Sequence, residues 1–269
     1  MVEIFQDIRK IYAFSNPCGE LEPYIEFFSE SSAVNPIAKL NETFASVKMF
    51  PSWTPTFYIN LGIPYYIDLK SVRHFIRSDE DILILRNDDV TRHKLPTDHL
   101  FTVKFHPGGL EAILGLNQAA LADRITNLRK ILPVSLLQSI REAANFEERT
   151  ILMQTYLLKM HQQLPHQDHF IRLVNDAIGE YSGSGMQLST SAVAERIFIT
   201  SKTINRYFNR VVGISPKAYF STLRARTALT AYVQQQDGFV PFDYGYYDLS
   251  HFSKDILRFT GQRLPQNKV

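Results

Sequence analysis

The chain has very little cysteine: among its 269 residues, Cys18 is the only one. A single cysteine permits no disulfide within the chain and is typical of a protein of the reducing cytoplasm, where we expect this one. Hydrophobic residues make up 45% of the sequence, which excludes a chain that is mainly disordered. The length leaves room for two domains, each with a core of its own.

Long apolar runs are also absent. No segment approaches the ~20 apolar residues that a helix needs to cross a bilayer, so the sequence predicts no membrane-spanning segment. The first twelve residues, MVEIFQDIRKIY, contain acidic residues and no long apolar stretch. This pattern argues against a secretory signal.

Patterns typical of catalysis and of metal binding are missing as well. The eight histidines (74, 93, 99, 106, 161, 166, 169 and 251) form no HxH or HExxH spacing, and His93 with His99 is only a weak signal. The sequence contains no GxSxG, Walker A or GxGxxG motif. Gly108-Gly109 could bind an anion ahead of a helix, although a turn that needs small residues is the favoured interpretation. We therefore predict no catalytic residue, no metal site and no cofactor.

The most informative segment runs from Ile199 to Leu229. Thr200 can cap a helix, because its hydroxyl accepts an N–H of the first turn that has no partner in the helix. Apolar residues then recur at spacings of four and three, which predicts one packed face: Ile204, Phe208 and Val211. The other face carries polar and basic side chains, namely Lys202, Asn205, Arg206, Asn209 and Arg210. A helix with one apolar and one basic face is typical of a recognition helix in a DNA groove.

The flanking residues complete a helix-turn-helix. Gly213 is typical of the left-handed position just past a helix end, and Ser215-Pro216 of the cap and first residue of the next helix. Upstream, the residues from Ser191 to Phe198 are predicted to form a short helix. Its inward residues are Val193, Ala194 and Ile197. A short helix, a tight turn and a basic helix make up the motif.

Positive charge is concentrated in the same region. Between Ser191 and Arg226 the sequence has seven lysines and arginines against one acidic residue, Glu195, in a chain of formal net charge +2. This local excess fits a surface that contacts DNA phosphates. The alternative is a solvated basic helix in an ordinary helical bundle, and the cap and stop signals in register favour DNA binding.

From about His169 onward, the chain resembles the AraC family of bacterial transcription regulators. Ten positions of the first lobe agree with the family pattern: Thr200, Ile204, Arg206, Phe208, Gly213, Ser215, Pro216, Tyr219, Arg224 and Ala228. The second lobe, GYYDLSHFSKDILRFTG from Gly245 to Gly261, resembles the family's glycine-aromatic turn, aspartate cap, recognition helix and closing glycine. The resemblance implies an all-α domain of two helix-turn-helix lobes joined by a long helix, from Pro216 to about Gln235.

The second lobe departs from the family pattern at Pro241. In the family, this position lies in the first helix of the lobe and is an alanine. Proline within a helix removes a hydrogen bond and clashes with the preceding turn, at a cost of about 3 kcal/mol. Asp237-Gly238, just upstream, also weakens a helix. We therefore predict that this helix is short or irregular.

The first 160 residues follow a different pattern. Short runs rich in β-branched and aromatic residues are separated by Pro, Gly, Asn and Asp, which predicts a β-barrel or sandwich. The runs are 24–28, 44–50, 56–61, 65–69, 72–76, 81–85 and 100–106. From Gly109 the apolar spacing becomes helical. Phe57-Tyr58 and Tyr65-Tyr66 could line a ligand cavity, although alternating aromatic residues in strands are more often part of the core.

Three segments of this region resemble the N-terminal domain of one branch of AraC-type regulators. They are PCGELEPYI from Pro17 to Ile25, FHPGG from Phe105 to Gly109, and LADR from Leu121 to Arg124. Such domains are taken to sense a small molecule, to form a dimer, or both. The resemblance implies that role for this region, without naming a ligand.

Matching the chain to the family assigns the DNA contacts. The base-reading positions are Lys202, Asn205 and Arg206 in the first lobe and Leu249, Ser250 and Lys254 in the second. The phosphate contacts are Thr200, Asn209, Arg210, Lys217 and His251. Arginine can pair with guanine and asparagine with adenine, whereas leucine can at best touch a thymine methyl and serine discriminates little. We therefore expect the second lobe to contribute less to specificity.

The sequence thus predicts an α+β chain with an N-terminal β-barrel or sandwich-like domain and trailing helices (1–160), a linker (161–168) and an all-α DNA-binding domain (169–269). We expect a ligand-responsive transcription regulator that binds double-stranded DNA, rather than an enzyme. A small-molecule effector, RNA polymerase and a second copy of the chain are further partners that the resemblance leaves open. Two alternatives remain: a cupin-like barrel enzyme fused to a regulator remnant, and a protein-interaction module whose lobes no longer read DNA.

Overall fold

The computed structural model describes residues 2–3, 6–7, 12–31, 45–88, 90–94, 99–164, 169–235 and 238–264. Within these ranges the strands lie in the first half of the chain, and the second half is helical. Residues 165–168, in the predicted linker, lie outside the described ranges. A helix ends at Gln163 before them, and another begins at His169 after them.

The strands form two antiparallel sheets and a short hairpin. They are β1 (Val2–Glu3), β2 (Gln6–Asp7), β3 (Tyr12–Ser15), β4 (Ile25–Ser31), β5 (Ala45–Met49), β6 (Pro55–Asn60), β7 (Tyr65–Leu69), β8 (Val72–Ile76), β9 (Ile82–Leu85), β10 (Val90–Lys94), β11 (Leu100–Phe105) and β12 (Ile125–Asn127). The larger sheet has the order β12-β9-β6-β11-β4-β3, and the smaller has the order β5-β10-β7-β8. The pair β1-β2 forms the hairpin.

Eight α-helices accompany them in the described residues. They are α1 (Gly109–Leu114), α2 (Val134–Glu142), α3 (Phe146–Gln163), α4 (His169–Gly183), α5 (Thr190–Arg196), α6 (Ser201–Val211), α7 (Pro216–Gln235) and α8 (Leu249–Thr260). Short 3-10 turns lie at Gln118–Leu121, Leu128–Lys130 and Pro241–Tyr244. The last of these stands where the sequence predicted a short or irregular helix, and Pro241 is its first residue.

The six-stranded sheet is covered on both faces. On one face, Tyr58 and Ile84 pack with Ile67 of the four-stranded sheet. On the other face, Phe57 shares a core with Met153 of α3. Every residue of β6 is therefore buried, as in strands that lack a solvent face. The N-terminal half is a sandwich with a helical third layer, and its described strands form two sheets rather than a closed barrel.

Two of the predicted strands, β7 and β8, have the predicted bounds. Strand β10 was not predicted from the sequence, and its residues VTRHK include two basic residues and a histidine. Its Arg92 is only 3% exposed, so an inward-facing cation interrupts the alternation of apolar and polar residues that marks a strand.

The second half of the chain has two cores that share α7. The first core joins α4, α5, α6 and the start of α7, through Val174, Ala194, Phe208 and Phe220 among others. The second core lies between the later part of α7 and α8, and it includes Leu229, Phe252 and Ile256. The predicted long helix with a lobe at each end is therefore confirmed.

Gly109 allows α1 to begin directly against the backbone of another segment. A Cβ atom at this position would lie 2.0 Å from the carbonyl oxygen of Tyr24. The same oxygen accepts the N–H of His106 at 2.9 Å, so it cannot move away without losing that hydrogen bond. A small residue is therefore required at this turn between sheet and helix.

We predict that Gly109→Ala lowers the free energy of unfolding by about 1–3 kcal/mol or more, because the added methyl forces the backbone apart. Gly179→Ala is the matched control: Gly179 lies within α4 and a Cβ there would meet nothing within 4 Å. Alanine should raise the stability at that helical position by about 0.5–1 kcal/mol. Urea unfolding measures the stability of both variants against that of the unaltered protein. Equal urea midpoints for Gly109→Ala and the unaltered protein would contradict the prediction.

Candidate nucleic-acid interface

Helix α6 begins and ends as the sequence predicted. The Thr200 hydroxyl accepts the Thr203 N–H at 3.1 Å, which satisfies one free donor of the first turn. At the other end, the Gly213 N–H donates to the Phe208 carbonyl at 3.0 Å, and Gly213 adopts a left-handed φ of 97°. The packed face is Ile204, Tyr207, Phe208 and Val211, all buried. The helix is thus fixed at both ends and along one side.

The opposite face of α6 carries exposed polar and basic side chains, including the predicted base-reading residues Lys202, Asn205 and Arg206. The Asn205 amide donates to the Ser201 carbonyl at 2.7 Å, and the Asn209 amide donates to the Asn205 carbonyl at 2.8 Å. The Arg206 guanidinium lies 5.1 Å from the centre of the Tyr207 ring. Both amides are folded back onto the helix, so Asn205, predicted to read a base, and Asn209, predicted to contact a phosphate, would have to rotate outward to reach DNA.

The helix before α6 and the turn between them are short. The Ser189 hydroxyl accepts the Ala192 N–H at 3.2 Å, so α5 starts at Thr190, one residue earlier than predicted. Val193 and Ala194 are buried as predicted. The turn passes through Phe198, which has a left-handed φ of 58° and is 96% exposed.

The second lobe presents α8 in a similar way. The Asp248 carboxylate accepts the His251 N–H at 2.7 Å and caps the helix. The assigned positions Leu249, Ser250, His251 and Lys254 are all exposed. Lys217 is also exposed, in the first turn of α7. All residues assigned to phosphates are therefore accessible to solvent, but Arg210 already has a partner within the protein.

A partly buried ion pair joins α7 to the second lobe. Arg224 donates to the Asp255 carboxylate at 2.9 Å and lies 4.4 Å from the centre of the Tyr246 ring. The Tyr246 hydroxyl donates to the same carboxylate at 3.2 Å. Burial and the nearby Asp255 charge raise the pKa of Tyr246, which therefore stays protonated. Asp255 was not predicted from the sequence to have a role, although an acidic residue between the apolar Phe252 and Ile256 indicates a carboxylate that is buried with a partner.

Arg210 is held by the N-terminal half of the chain. Its guanidinium donates to both carboxylate oxygens of Glu111, at 2.6 and 3.1 Å. Beside it, the Asn117 amide donates to the Arg210 carbonyl at 3.1 Å, and the Gln118 amide donates to the Val212 carbonyl at 3.0 Å. The last turn of α6 is therefore attached to the segment around α1, a contact that the sequence did not indicate.

A second contact between the two halves lies on α7. Arg226 donates to the Glu26 carboxylate at 2.6 Å, and Lys104 lies 3.4 Å from the other oxygen. Burial alone would raise the pKa of Glu26, but these two cations outweigh it and hold that pKa well below its usual value. Phe50, from the N-terminal half, also lies within the core of the second lobe. Both lobes thus touch the N-terminal half.

A cavity of about 700 Å³ lies between the two halves. Pro23, Glu26 and His106 line it from one side, and Leu223 and Arg226 of α7 from the other. Burial lowers the pKa of His106, so that histidine is neutral at pH 7. The space lined by Tyr58 between the two sheets is only about 40 Å³. The sequence left a ligand cavity in the β domain open and favoured core packing for its aromatic residues, and Phe57 and Tyr65 are fully buried in the cores of that domain.

In the described part of the chain, no group of three His, Cys, Asp or Glu side chains could hold a metal ion. His93 bonds to Asp68 at 2.6 Å and His99 bonds to Glu30 at 2.8 Å, so these two histidines have separate partners. None of the described helices combines the length and the apolar character needed to cross a membrane.

Comparison with known proteins finds a match to a domain model in the C-terminal region. Residues 193–266 match the model of a helix-turn-helix domain. The solved structure of ToxT from Vibrio cholerae is similar with a TM-score of 0.47 and 9% identity, over 82% of this chain and 96% of that chain. ToxT from strain O395, bound to (E)-4-(8-methylnaphthalen-1-yl)but-3-enoic acid, has a TM-score of 0.46 and 12% identity, over 82% and 97%. The AraC-like transcriptional activator CuxR has a TM-score of 0.34 and 12% identity, over 84% and 88%. No curated protein sequence matches the chain.

Proposed function

We propose that this protein is a transcription regulator of the AraC type that binds double-stranded DNA at specific sequences, because residues 193–266 match the model of a helix-turn-helix domain. One observation carries the proposal: α6 is held by its buried face and exposes Lys202, Asn205 and Arg206 on the other. In helix-turn-helix proteins the second helix of the motif lies in the major groove. These three side chains are the ones we assign to base edges.

The assigned phosphate contacts surround this face. Asn209 and Lys217 are exposed near the end of α6 and the start of α7. Thr200 lies at the N-terminus of α6, where free N–H groups and the helix dipole favour an anion. His251 has the corresponding place at the start of α8. These contacts position the protein on the duplex without reading its sequence.

We assign a smaller share of specificity to the second lobe. Its exposed positions are Leu249, Ser250 and Lys254, of which only the lysine can form a strong hydrogen bond to guanine. Its first helix is reduced to the 3-10 turn Pro241–Tyr244. Selection of bound fragments from genomic DNA tests the function as a whole, since it returns the site, its spacing and the regulated genes. A protein that enriches no sequence would contradict the proposal.

We predict that Arg206→Ala weakens binding to the selected site by about 1–3 kcal/mol and changes binding to random DNA much less, because a guanine contact exists only at the true site. Lys217→Ala is the control, since the loss of a phosphate contact should weaken both kinds of DNA to a similar extent. Fluorescence anisotropy at fixed salt measures both. An equal loss on the two DNAs for Arg206→Ala would assign that arginine to the backbone.

Arg210 links DNA binding to the N-terminal half. Its guanidinium already pairs with both oxygens of Glu111, so a DNA phosphate has to compete with that carboxylate. The side chain of Arg210 is 45% exposed, and ion pairs of this kind contribute only about 0.2–1 kcal/mol. A DNA phosphate can therefore displace the Glu111 carboxylate from Arg210. The ion pair lowers the affinity for DNA without abolishing binding.

We predict that Glu111→Gln raises the affinity for specific and random DNA alike, by about fivefold or less, because it frees Arg210 for a phosphate. Arg210→Gln should lower both affinities and reduce the salt slope by about 1. In the double variant the effect of Glu111→Gln should disappear. If Glu111→Gln strengthened binding just as much without Arg210, the carboxylate would act by repelling DNA rather than by holding Arg210.

The N-terminal half supplies the regulation in this proposal. We assign residues 1–160 to a sensing or dimerising domain, 161–168 to a linker and 169–269 to DNA binding. The cavity of about 700 Å³ has the size of a small-molecule site. Its walls belong to both domains, so a ligand there would favour the arrangement of domains that it fits best. Dimerisation would bring two DNA-binding domains to repeated sites and raise the overall affinity.

We predict that the full-length protein either sediments as a dimer or shows a thermal shift with a small molecule from a metabolite panel. A ligand that binds between the domains should lose its thermal shift in Leu223→Trp, because the larger side chain fills the α7 wall of the cavity. A monomer at high concentration, with no shift across the panel, would contradict a sensing or dimerising role. DNA selection by the same preparation shows that the DNA-binding domain is intact.

A further inference from the structure

Two aromatic side chains stand out by their exposure. Among the described residues, the most exposed large apolar side chains are Phe198 at 96% and Tyr247 at 88%, and the next is Phe242 at 64%. Phe198 lies two residues before Thr200, the cap of α6. Tyr247 lies one residue before Asp248, the cap of α8. Each lobe therefore exposes an aromatic ring in the turn that leads into its recognition helix.

Phe198 also has an unfavourable backbone conformation. Its φ of 58° lies in the left-handed region, which glycine adopts without strain and phenylalanine does not. The second lobe makes the corresponding turn with Gly245, at a φ of 72°. Glycine can therefore occupy this left-handed position without backbone strain, yet the first lobe has phenylalanine there.

The packing of the protein does not account for the phenylalanine. Its neighbours Ile197 and Ile199 pack against the first core, and the turn between them leaves Phe198 in solvent. None of the ring contacts found among the described residues involves Phe198, whereas the buried Tyr181 stacks on Phe220 at 4.2 Å. An exposed ring in a strained conformation indicates a contact outside the protein.

We infer that Phe198 contacts DNA, with its ring against a thymine methyl or a deoxyribose at the edge of the site that α6 reads, and that Tyr247 does the same beside α8. This rests on the proposed function. The N-terminal residues of a recognition helix contact the bases, so the turn just before them lies at the edge of the groove. A phenylalanine ring can pack on a thymine methyl.

The repetition in both lobes identifies the partner as DNA. A duplex that passes both recognition helices also passes both turns, although the two rings are not at equivalent positions: Phe198 holds the left-handed position itself, and Tyr247 lies two residues after the left-handed Gly245. A protein partner would have to span both lobes to touch the two rings. Lys202, exposed after Phe198, suits a polyanion, and so does the exposed Arg196 before it, whose guanidinium also pairs with Glu180 at 2.6 Å. Because the phenyl ring carries no charge, its contribution to affinity does not depend on salt.

The test compares Phe198→Gly with Phe198→Ala on the DNA site selected by the unaltered protein. Both variants remove the ring and should weaken binding by about fivefold to tenfold with an unchanged salt slope. Glycine also relieves the strain, so Phe198→Gly alone should raise Tm by about 2–4 °C. A variant that is more stable and yet binds DNA less tightly cannot owe its loss to unfolding.

Phe242→Ala is the matched control, because this exposed ring lies in the 3-10 turn of the second lobe and not before a recognition helix. It should bind as the unaltered protein does, and Tyr247→Ala should bind less tightly. Equal affinities for the Phe198 variants and the unaltered protein would overturn the inference, and so would a loss of transcriptional effect without a loss of DNA binding. A failure of the unaltered protein to bind any DNA would instead count against the proposed function.

Discussion

The burial of one face of α6 is the constraint on which the DNA-binding domain depends. Phe208 is fully buried, with its ring 5.8 Å from that of Tyr219 and 5.3 Å from that of Phe220. Replacing a buried phenylalanine by alanine costs about 3–5 kcal/mol, several times more than an exposed ion pair contributes. Once that face is fixed, the helical repeat turns Lys202 and Arg206 toward solvent.

Helix α7 extends this constraint to the rest of the molecule. Its first half completes the core under α6, and its second half completes the core under α8. The same helix meets the N-terminal half through the Arg226–Glu26 ion pair. A change in the position of the N-terminal half therefore acts on an element that both lobes share, while Glu111 acts on the end of α6 itself.

Features that depend on neighbouring residues were predicted correctly from the sequence. Thr200 caps α6, Gly213 ends it, and the segment at Pro241 is a short 3-10 turn. Each of these follows from the backbone preference of one residue and the hydrogen bonds of one turn. The strand β10 was missed for the opposite reason, because its buried Arg92 is stabilised by partners from distant segments, such as the Tyr12 hydroxyl at 2.6 Å.

The sequence by itself determined the class of the C-terminal domain and the two faces of its recognition helices, because caps, glycine turns and helical spacing are local properties. Tertiary structure decided the rest: Glu111 beside Arg210, Asp255 beneath Arg224, and a cavity of about 700 Å³ between the domains. These contacts join residues 31 to 99 positions apart, or whole domains. Which residues meet across such separations in sequence is set by how the layers pack, and a local pattern such as the one around Asp255 can indicate burial without naming the partner.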